Sequence, residues 1–409
     1  MSASSFVAVD IHDPQGMRQA GADALSLALM DARNRTLQRL AVFDGLHSVT
    51  APTELDPPAW IAGQAARFQE YWIGRNVLRN RGEACDPKAV RLASIDPVLD
   101  WWLDPLASTR AQRWQGSVPA AEAMRSYLAA TLEDTLDLLE KAEASDEGLY
   151  FYRLALRHED RLGEALAVLA QTLGAAPQQP EQRWPELPSR VRREALCLPA
   201  RTVQLGSPRG GCVPDNEKWA HELVVPEFEI DAQPVCWAQY AEFVADGGYD
   251  DARWWSAEGW QWADATGRRA PRHVEQLAHG VLLRRQGRLQ RVPGVQAAVH
   301  LSWYEADAWC RWAGRRLPSE GEWSVAAADA TARGWVWGDV FEWVAGTARA
   351  YPGYRNGPAW LDALPSEPGW RVLRGASFLS AARQKHLAAR RFLPPGHDAC
   401  FCGFRSCAV

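Results

Sequence analysis

The chain has 409 residues, of which 47% are hydrophobic and 23% are charged, a composition typical of folded globular proteins. This length is too great for one compact core and predicts two domains of roughly 180–220 residues. The net charge of −5 and the scattered basic residues exclude a nucleic-acid-binding surface. There is no basic segment followed by an apolar run near the start and no apolar stretch of about 18 residues, so we expect a cytoplasmic protein without a membrane span.

Four long helical patterns occupy the first part of the chain. Apolar residues recur in each at three- and four-residue spacing, and Ser145 is placed to cap the last of them. The segment between the second and third patterns contains several prolines and is predicted to be loop-rich. Helices of this length predict an antiparallel four-helix bundle. The predicted helices cover residues 17–43, 58–79, 120–142 and 147–173, and the loop-rich segment covers 82–118.

The composition changes after the fourth helix. Residues 179–199 are rich in proline, glutamine and glutamate and are predicted to form a linker. This linker would join a helical domain at residues 1–178 to a second domain at residues 200–409.

Helical periodicity largely disappears in the second domain. Short β-type runs alternate there with turns rich in glycine, proline and tryptophan. Two short helices are expected near residues 237–246 and 303–313, and residues 284–291 are predicted to form a solvated hairpin. The fold class predicted for the whole chain is therefore α+β, with a loop-rich second domain.

One histidine lies on the apolar face of the fourth helix. His158 shares that face with Leu154 and Leu162, because residues three and four positions apart lie on one side of a helix. A buried imidazole needs a hydrogen-bond partner or a metal, since an unsatisfied buried polar group costs about 1–3 kcal/mol. Both a core histidine and a metal ligand fit this pattern.

The eight cysteines fit a reducing compartment as free thiols. Cys400, Cys402 and Cys407 cluster near the end of the sequence. Their spacing matches no common zinc motif, which favours small buried side chains over a metal site.

The 21 tryptophans indicate either several small cores or a pocket lined with aromatic rings.

Five short motifs in the second domain occur in one order. This combination resembles the domain of the formylglycine-generating enzymes, a fold related to C-type lectins. The motifs are residues 302–306 (SWYEA), 312–323 (WAGRRLPSEGEW), 341–343 (FEW), 373–378 (LRGASF) and 403–407 (GFRSC). The copper-binding cysteine pair of those enzymes would follow the fourth motif. Residues 379–386 contain no cysteine, so formylglycine generation is rejected.

A helical, DinB-like bundle followed by such a domain resembles the ergothioneine and ovothiol synthase family, and the C-terminal segment looks closest to its selenoneine synthase branch. The resemblance covers nearly the whole chain. It implies a nonheme iron protein in which Fe(II), held by three histidines, activates O2. The resemblance further implies formation of a C–S or C–Se bond on the imidazole of trimethylhistidine (hercynine), with a thiol or a selenosugar as the donor.

The iron ligands of this family match the chain only in part. The family's helix-four pattern is His, three residues, His, one residue, Glu. His158 and Glu164 match it, but Leu162 occupies the second histidine position. The remaining histidine of the family corresponds to Gln64. The site therefore keeps one imidazole of three, and several kcal/mol of metal affinity would be lost. Substitute ligands weighed from the sequence are Glu159, Asp160, Glu164 and His47.

The resemblance also indicates substrate contacts. Arg161 occupies a position where the family often keeps a polar side chain that touches substrate. Phe392, Asp398 and Phe401 lie in the matching C-terminal segment and are further substrate candidates, and His397 could face the same pocket.

The alternative function is that of a metal-deficient relative that binds a betaine or a partner protein. In that case tryptophans could hold a quaternary ammonium by cation–π attraction. The tryptophan candidates are Trp254, Trp255, Trp260 and Trp262.

Overall fold

The computed structural model describes residues 10–46, 50–116, 119–178 and 184–409. His47 and residues 179–183 of the predicted linker lie outside these ranges. The described helices, numbered along the chain, are α1 (Pro14–Arg18), α2 (Ala22–Ala41), α3 (Pro58–Gln69), α4 (Pro97–Leu103), α5 (Arg110–Gln115), α6 (Ala121–Glu140), α7 (Asp146–Leu173), α8 (Trp237–Ala245), α9 (Ala257–Ala265), α10 (Trp303–Trp312) and α11 (Glu320–Asp329).

Four of these helices agree with the helical patterns in the first part of the sequence. Helix α7 begins where predicted, because the Ser145 side chain accepts a hydrogen bond from the backbone N–H of Gly148. It ends at Gly174, whose φ of +70° is a left-handed conformation that favours glycine. Helix α7 packs against α2 and α3, and α3 also packs against α6.

Three details of the first half differ from the prediction. The first predicted helix is interrupted before α2, which begins after Gly21. The second leaves α-helical geometry after Gln69 and continues as the π-helical turn Glu70–Gly74. The segment predicted as loop contains α4 and α5, whose first turns are capped by the side chains of Asp96 and Thr109. Pro97 starts a helix here because proline is tolerated in a first turn.

A buried polar network connects four helices of the first half. The guanidinium of Arg33 on α2 donates to Glu159 on α7 at 2.6 and 3.2 Å, and to the side-chain oxygen of Gln69 on α3 at 3.0 Å. It also donates to the backbone carbonyl of Leu128 on α6. These charged groups have almost no solvent exposure, so each satisfies the other in a dry environment.

The second half contains short strands arranged in several small sheets. The strands are β1 (Leu196–Leu198), β2 (Arg201–Leu205), β3 (His221–Val225), β4 (Phe228–Ile230), β5 (Val274–Gln276), β6 (Val281–Arg285), β7 (Arg288–Val292), β8 (Arg315–Arg316), β9 (Phe341–Thr347), β10 (Arg371–Gly375), β11 (Arg390–Leu393), β12 (Cys402–Phe404) and β13 (Cys407–Ala408). One sheet has the order β1-β4-β13-β8 and another β11-β10-β9-β12, in which β12 runs parallel to β9. The hairpin predicted at residues 284–291 is confirmed as the turn between β6 and β7.

The mixture of helices and sheets confirms the α+β class, and the two short helices predicted for the second half are α8 and α10. Helices α9 and α11 were not predicted. Helix α7 links the two halves, because Ala167 and Val168 belong to the main apolar core of the second half. Within the described residues, no helix combines the length and apolar character needed to cross a membrane.

Candidate functional site

His158 lies between α7 and α3. Its ring packs against the ring of Phe68, with 4.8 Å between the centroids. Burial and the positive charge of Arg161 lower its pKa to about 3, although a hydrogen bond with the backbone of Gln64 opposes the shift. The imidazole is therefore neutral at physiological pH and already has a protein partner.

The side chains at the two other positions of the expected iron site make different contacts. The Gln64 side-chain amide donates to the backbone carbonyl of Leu103 at 2.7 Å. Leu162 packs in the apolar cluster between the helices of the first half and has no donor atom. Among the described residues, no group of three or more His, Cys, Asp or Glu side chains could hold a metal ion. The residues present do not fit the family's iron.

The carboxylates considered as substitute ligands are each engaged by an arginine. Glu159 pairs with Arg33 at 2.6 Å, and Asp160 receives two hydrogen bonds from Arg383, both of 2.8 Å. Glu164 pairs with an arginine from β11. His47 lies outside the described residues.

The outer face of α7 and the second half form a dense ionic contact. We call it the interface cluster, and its members are Arg157, Asp160, Arg161, Glu164, Asp362, Arg383 and Arg391. Arg157 donates to Asp362 at 2.8 Å, and Arg161 pairs with the same carboxylate. Burial, followed by the positive charges of Arg391 and Arg157, lowers the pKa of Arg161 to about 9.

Glu164 is a buried member of the interface cluster with three hydrogen-bond donors around it. It accepts hydrogen bonds from the hydroxyls of Ser377 at 2.7 Å and Ser380 at 2.9 Å, and from Arg391 at 2.7 Å. Burial would raise the pKa of Glu164, but the charge of Arg391 and these hydrogen bonds hold it below the usual value. The cavity left among the cluster residues measures only about 40 Å³, room for a water molecule rather than a metabolite.

Phe392 is not brought together with His158. Arg391 and Phe392 are neighbours on β11, and successive side chains of a strand point to opposite faces. Arg391 faces Glu164 on α7, whereas Phe392 lies in a separate apolar cluster of the second half, 4.9 Å from the Arg390 guanidinium.

Asp398 lies in a buried ionic contact of its own. It pairs with Arg268 and accepts from Arg272 at 2.9 Å, and Arg272 also reaches Glu54 in the first half at 2.6 Å.

The tryptophan candidates are located around α9. The buried ring of Trp255, for example, donates to the carbonyl of Gly248 at 2.8 Å, which is the role of a core residue.

Phe401 lies at a larger opening between α7 and the second half, a cavity of about 440 Å³. We call it the aromatic cavity. Its ring-bearing lining residues are Trp184, His273, His300, Phe378 and Phe401, and its polar lining residues include Gln171, Glu186, Arg284, Arg285 and Gln290. The Phe401 ring lies 5.0 Å from that of His300 and 5.2 Å from that of Phe378.

Two histidines give the aromatic cavity its polar character. His273 and His300 both have positive φ, 67° and 64°, a conformation uncommon outside glycine. Their rings meet edge to face, with centroids 4.9 Å apart. Burial lowers the pKa of His273 to about 4 and that of His300 well below its usual value, so both imidazoles are neutral.

One nitrogen on each ring has no partner among the residues described. These atoms are Nε2 of His273 and Nδ1 of His300, and His300 is only 5% exposed. Buried polar atoms are nearly always satisfied, so unpaired ring nitrogens at a cavity point to a ligand. No sequence signal points to this pair, since each histidine stands alone among residues of ordinary composition.

The aromatic cavity combines two kinds of contact. Its ring faces suit a quaternary ammonium, and the Arg285 guanidinium can pair with a carboxylate. At present Arg285 donates to the side chain of Gln296 at 2.9 Å. A small zwitterion would therefore find both contacts here.

Comparison with known proteins gives two kinds of match. Residues 183–339 match the sulfatase-modifying factor enzyme 1-like domain family. Hercynine oxygenase of Mycolicibacterium smegmatis is 30% identical over 85% of this chain and 74% of its own length, and that of Mycobacterium tuberculosis is 27% identical over 87% and 92%. A formylglycine-generating enzyme of Streptomyces coelicolor is 32% identical over 42% of this chain.

Proposed function

Because the chain belongs to the hercynine oxygenase family, we propose that it binds a hercynine-class betaine and does so without iron. Such a ligand is a small zwitterion with a trimethylammonium group and a carboxylate. We further propose that residues 1–178 form a DinB-like bundle and residues 200–409 a sulfatase-modifying-factor-type domain. The linker between them was predicted at residues 179–199, but its last residues form β1 (Leu196–Leu198), which pairs with β4 of the second half.

The observation that carries this proposal is the aromatic cavity. Its volume of about 440 Å³ lies within the range of about 300–1,000 Å³ usual for small-molecule sites. In the proposed complex the rings of Phe378, Phe401 and Trp184 face the quaternary ammonium, and Arg285 pairs with the carboxylate. The free nitrogens of His273 and His300 supply hydrogen bonds to polar atoms of the ligand.

A second candidate function is supported by the family relationship. It is iron- and oxygen-dependent formation of a C–S or C–Se bond on hercynine, with a thiol or selenosugar donor. The donor set speaks against it, because Leu162 offers no ligand and the Gln64 amide is bonded to Leu103. Arg161, which could touch substrate in that mechanism, is paired with Asp362.

Calorimetric titration of the full chain with hercynine, choline and histidine tests the proposal. We expect hercynine to bind with a Kd in the micromolar to millimolar range, about −8 to −4 kcal/mol, choline to bind more weakly, and histidine weakest because it lacks the quaternary ammonium. Phe401→Leu keeps an apolar side chain but removes the ring. It should weaken hercynine binding by about 0.5–2 kcal/mol, or roughly 2- to 30-fold.

Trp101→Leu is the matched control, because it removes an aromatic ring that is exposed on α4. It should leave the hercynine titration unchanged. The absence of heat with all three compounds at millimolar concentration would contradict the proposal and favour a protein-interaction role.

A further inference from the structure

Three side chains with thiol and imidazole groups meet around the start of β12. The Nε2 atom of His397 lies 3.2 Å from the Sγ atom of Cys400, and Cys402 lies two positions further along the chain, close enough for its thiol to affect that of Cys400. We call these three residues the thiol cluster. Cys402 is fully buried at the start of β12, while Cys400 and His397 are partly exposed.

The surroundings favour a negative charge on one sulfur of the pair. The hydrogen bond from Cys402 lowers the pKa of Cys400 well below its usual value; burial opposes this, and the positive charges of His397 and Arg391 reinforce it. Burial would lower the pKa of His397, but Cys400, Asp398 and Glu54 raise it above normal. Both shifts favour a thiolate on Cys400 beside an imidazolium on His397.

The second sulfur is held in the opposite state. Burial, and then the hydrogen bond and charge of Cys400, raise the pKa of Cys402 well above its usual value. Cys402 therefore stays protonated as long as Cys400 carries the charge. One activated and one protonated thiol in contact is the arrangement required for a two-step exchange reaction.

Other cysteines of the chain lack this arrangement. Burial raises the pKa of Cys212, Cys310 and Cys407, which makes those thiols poor nucleophiles. Cys197 is exposed and serves as an internal reference of ordinary accessibility.

We propose that Cys400 and Cys402 form a redox-active dithiol, activated by His397, that exchanges with low-molecular-weight disulfides. The Cys400 thiolate attacks one sulfur of the disulfide, a new S–S bond forms, and the released thiolate takes the proton of His397. The Cys402 thiol then gives its proton to His397 and attacks Cys400 Sγ. A Cys400–Cys402 disulfide forms and the second thiol leaves with that proton.

Electrons and atoms balance over the two steps. The two protein thiols are oxidised, and one disulfide is reduced to two thiols. This inference is independent of the proposed betaine site, because none of the three residues lines the aromatic cavity.

The first test measures alkylation of the wild-type protein by iodoacetamide at about pH 6, where an ordinary thiol with a pKa of about 8.5 is almost fully protonated. Peptide mass spectrometry should show Cys400 modified at least about tenfold faster than Cys197. In His397→Gln that advantage should become clearly smaller, because the charge and the hydrogen bond of the imidazole are lost. Equal rates at the two cysteines of the wild type would overturn the proposal.

The second test uses oxidised glutathione. The wild type should lose two thiols and form an internal disulfide within the peptide that contains both cysteines. Cys402→Ser should instead keep glutathione bound to Cys400, and Cys400→Ser should leave Cys402 unmodified. Thermal unfolding of each variant shows that it is folded. A wild type that keeps both thiols, or a Cys402→Ser protein without glutathione, would refute the dithiol.

Discussion

At residue 162 a leucine lies one helical turn beyond His158, on the side where a second imidazole would share a metal. The side-chain amide of Gln64 on the neighbouring helix is also engaged, since it donates a hydrogen bond to the carbonyl of Leu103. At the two positions expected to hold iron ligands, the chain therefore has a core contact and a helix-to-helix hydrogen bond in place of imidazoles.

This replacement predicts that the wild-type protein, grown with added iron, carries far less than one iron per chain and shows no oxygen-dependent coupling of hercynine to a thiol or selenosugar. The double variant Gln64→His/Leu162→His should raise the iron content, because three imidazoles would then be available. Burying the extra imidazole costs about 1–3 kcal/mol, and bound metal would offset this cost. Elemental analysis measures both proteins.

Gln64→Ala/Leu162→Ala is the matched control, since it removes the same side chains without supplying ligands. It should stay free of iron. Stoichiometric iron with turnover in the wild type would mean that other residues bind the metal and that the chain is a working synthase.

Some of these residue-scale features could be predicted from sequence. The position of His158 against α3 follows from its place on a periodic apolar face. Of the aromatic cavity, the sequence indicated Phe401 and a pocket lined with rings as one possibility. It could not indicate His273 and His300, because their place depends on backbone conformation and on loops that meet only in the folded chain. The contact between His397 and Cys400 depends likewise on a turn whose geometry no periodic pattern describes.

On the scale of single elements, α7 contacts the other helices of the first half on one side and the second half on the other. One side carries Glu159 into the network with Arg33, and the other presents Asp160 and Glu164 to the second half. The apolar pattern predicted the helix itself and its first side. From the sequence alone, the second side cannot be told from an exposed charged face, because the sequence does not reveal which arginines lie opposite it.

The Arg33 network leads to a prediction about stability. Arg33→Leu leaves Glu159 buried without its partner, and breaking a buried ion pair costs about 3–5 kcal/mol. The exposed pair of Arg125 and Asp44 is the comparison, because Arg125→Leu should cost no more than about 1 kcal/mol. Urea unfolding followed by circular dichroism measures both. Similar losses for the two variants would show that the network contributes little.

Helices α9 and α11 illustrate why shorter elements were missed. Each begins with a serine cap, Ser256 and Ser319, and this signal was present in the sequence. Their apolar faces are short and rich in alanine or tryptophan, so periodicity did not distinguish them from turns.

On the scale of the whole molecule, buried ion pairs join the two halves. Arg18 on α1 binds Glu217 of the second half with hydrogen bonds of 2.7 and 2.9 Å, and Asp160 binds Arg383. Burial would raise the pKa of Glu217, but Arg18 lowers it to about 2 from an ordinary value of 4.5.

This contact predicts loss of stability in acid. Because the folded-state pKa of Glu217 is depressed, its contribution is fully present above about pH 4.5 and is lost as the pH falls toward about 2; the difference corresponds to about 3 kcal/mol. In Glu217→Gln the free energy of unfolding should be lower at neutral pH and fall less steeply in that window. Urea titrations at several pH values measure the slope.

Glu367→Gln, at an exposed position, is the control and should keep the wild-type slope. An unchanged slope in Glu217→Gln would show that another group controls the acid transition.

The bonds between α7 and the second half also have a consequence for synthesis on the ribosome. Asp160 precedes its partner Arg383 by 223 positions, and Glu164 precedes Arg391 by 227. At about 5–20 residues per second, translation needs about 10–45 s to cover that distance. During this interval Asp160 and Glu164 lack these two arginines, and Ala167 and Val168 lack the core they later join. A nascent chain stalled before residue 383 would therefore present this face of its longest described helix to chaperones and proteases.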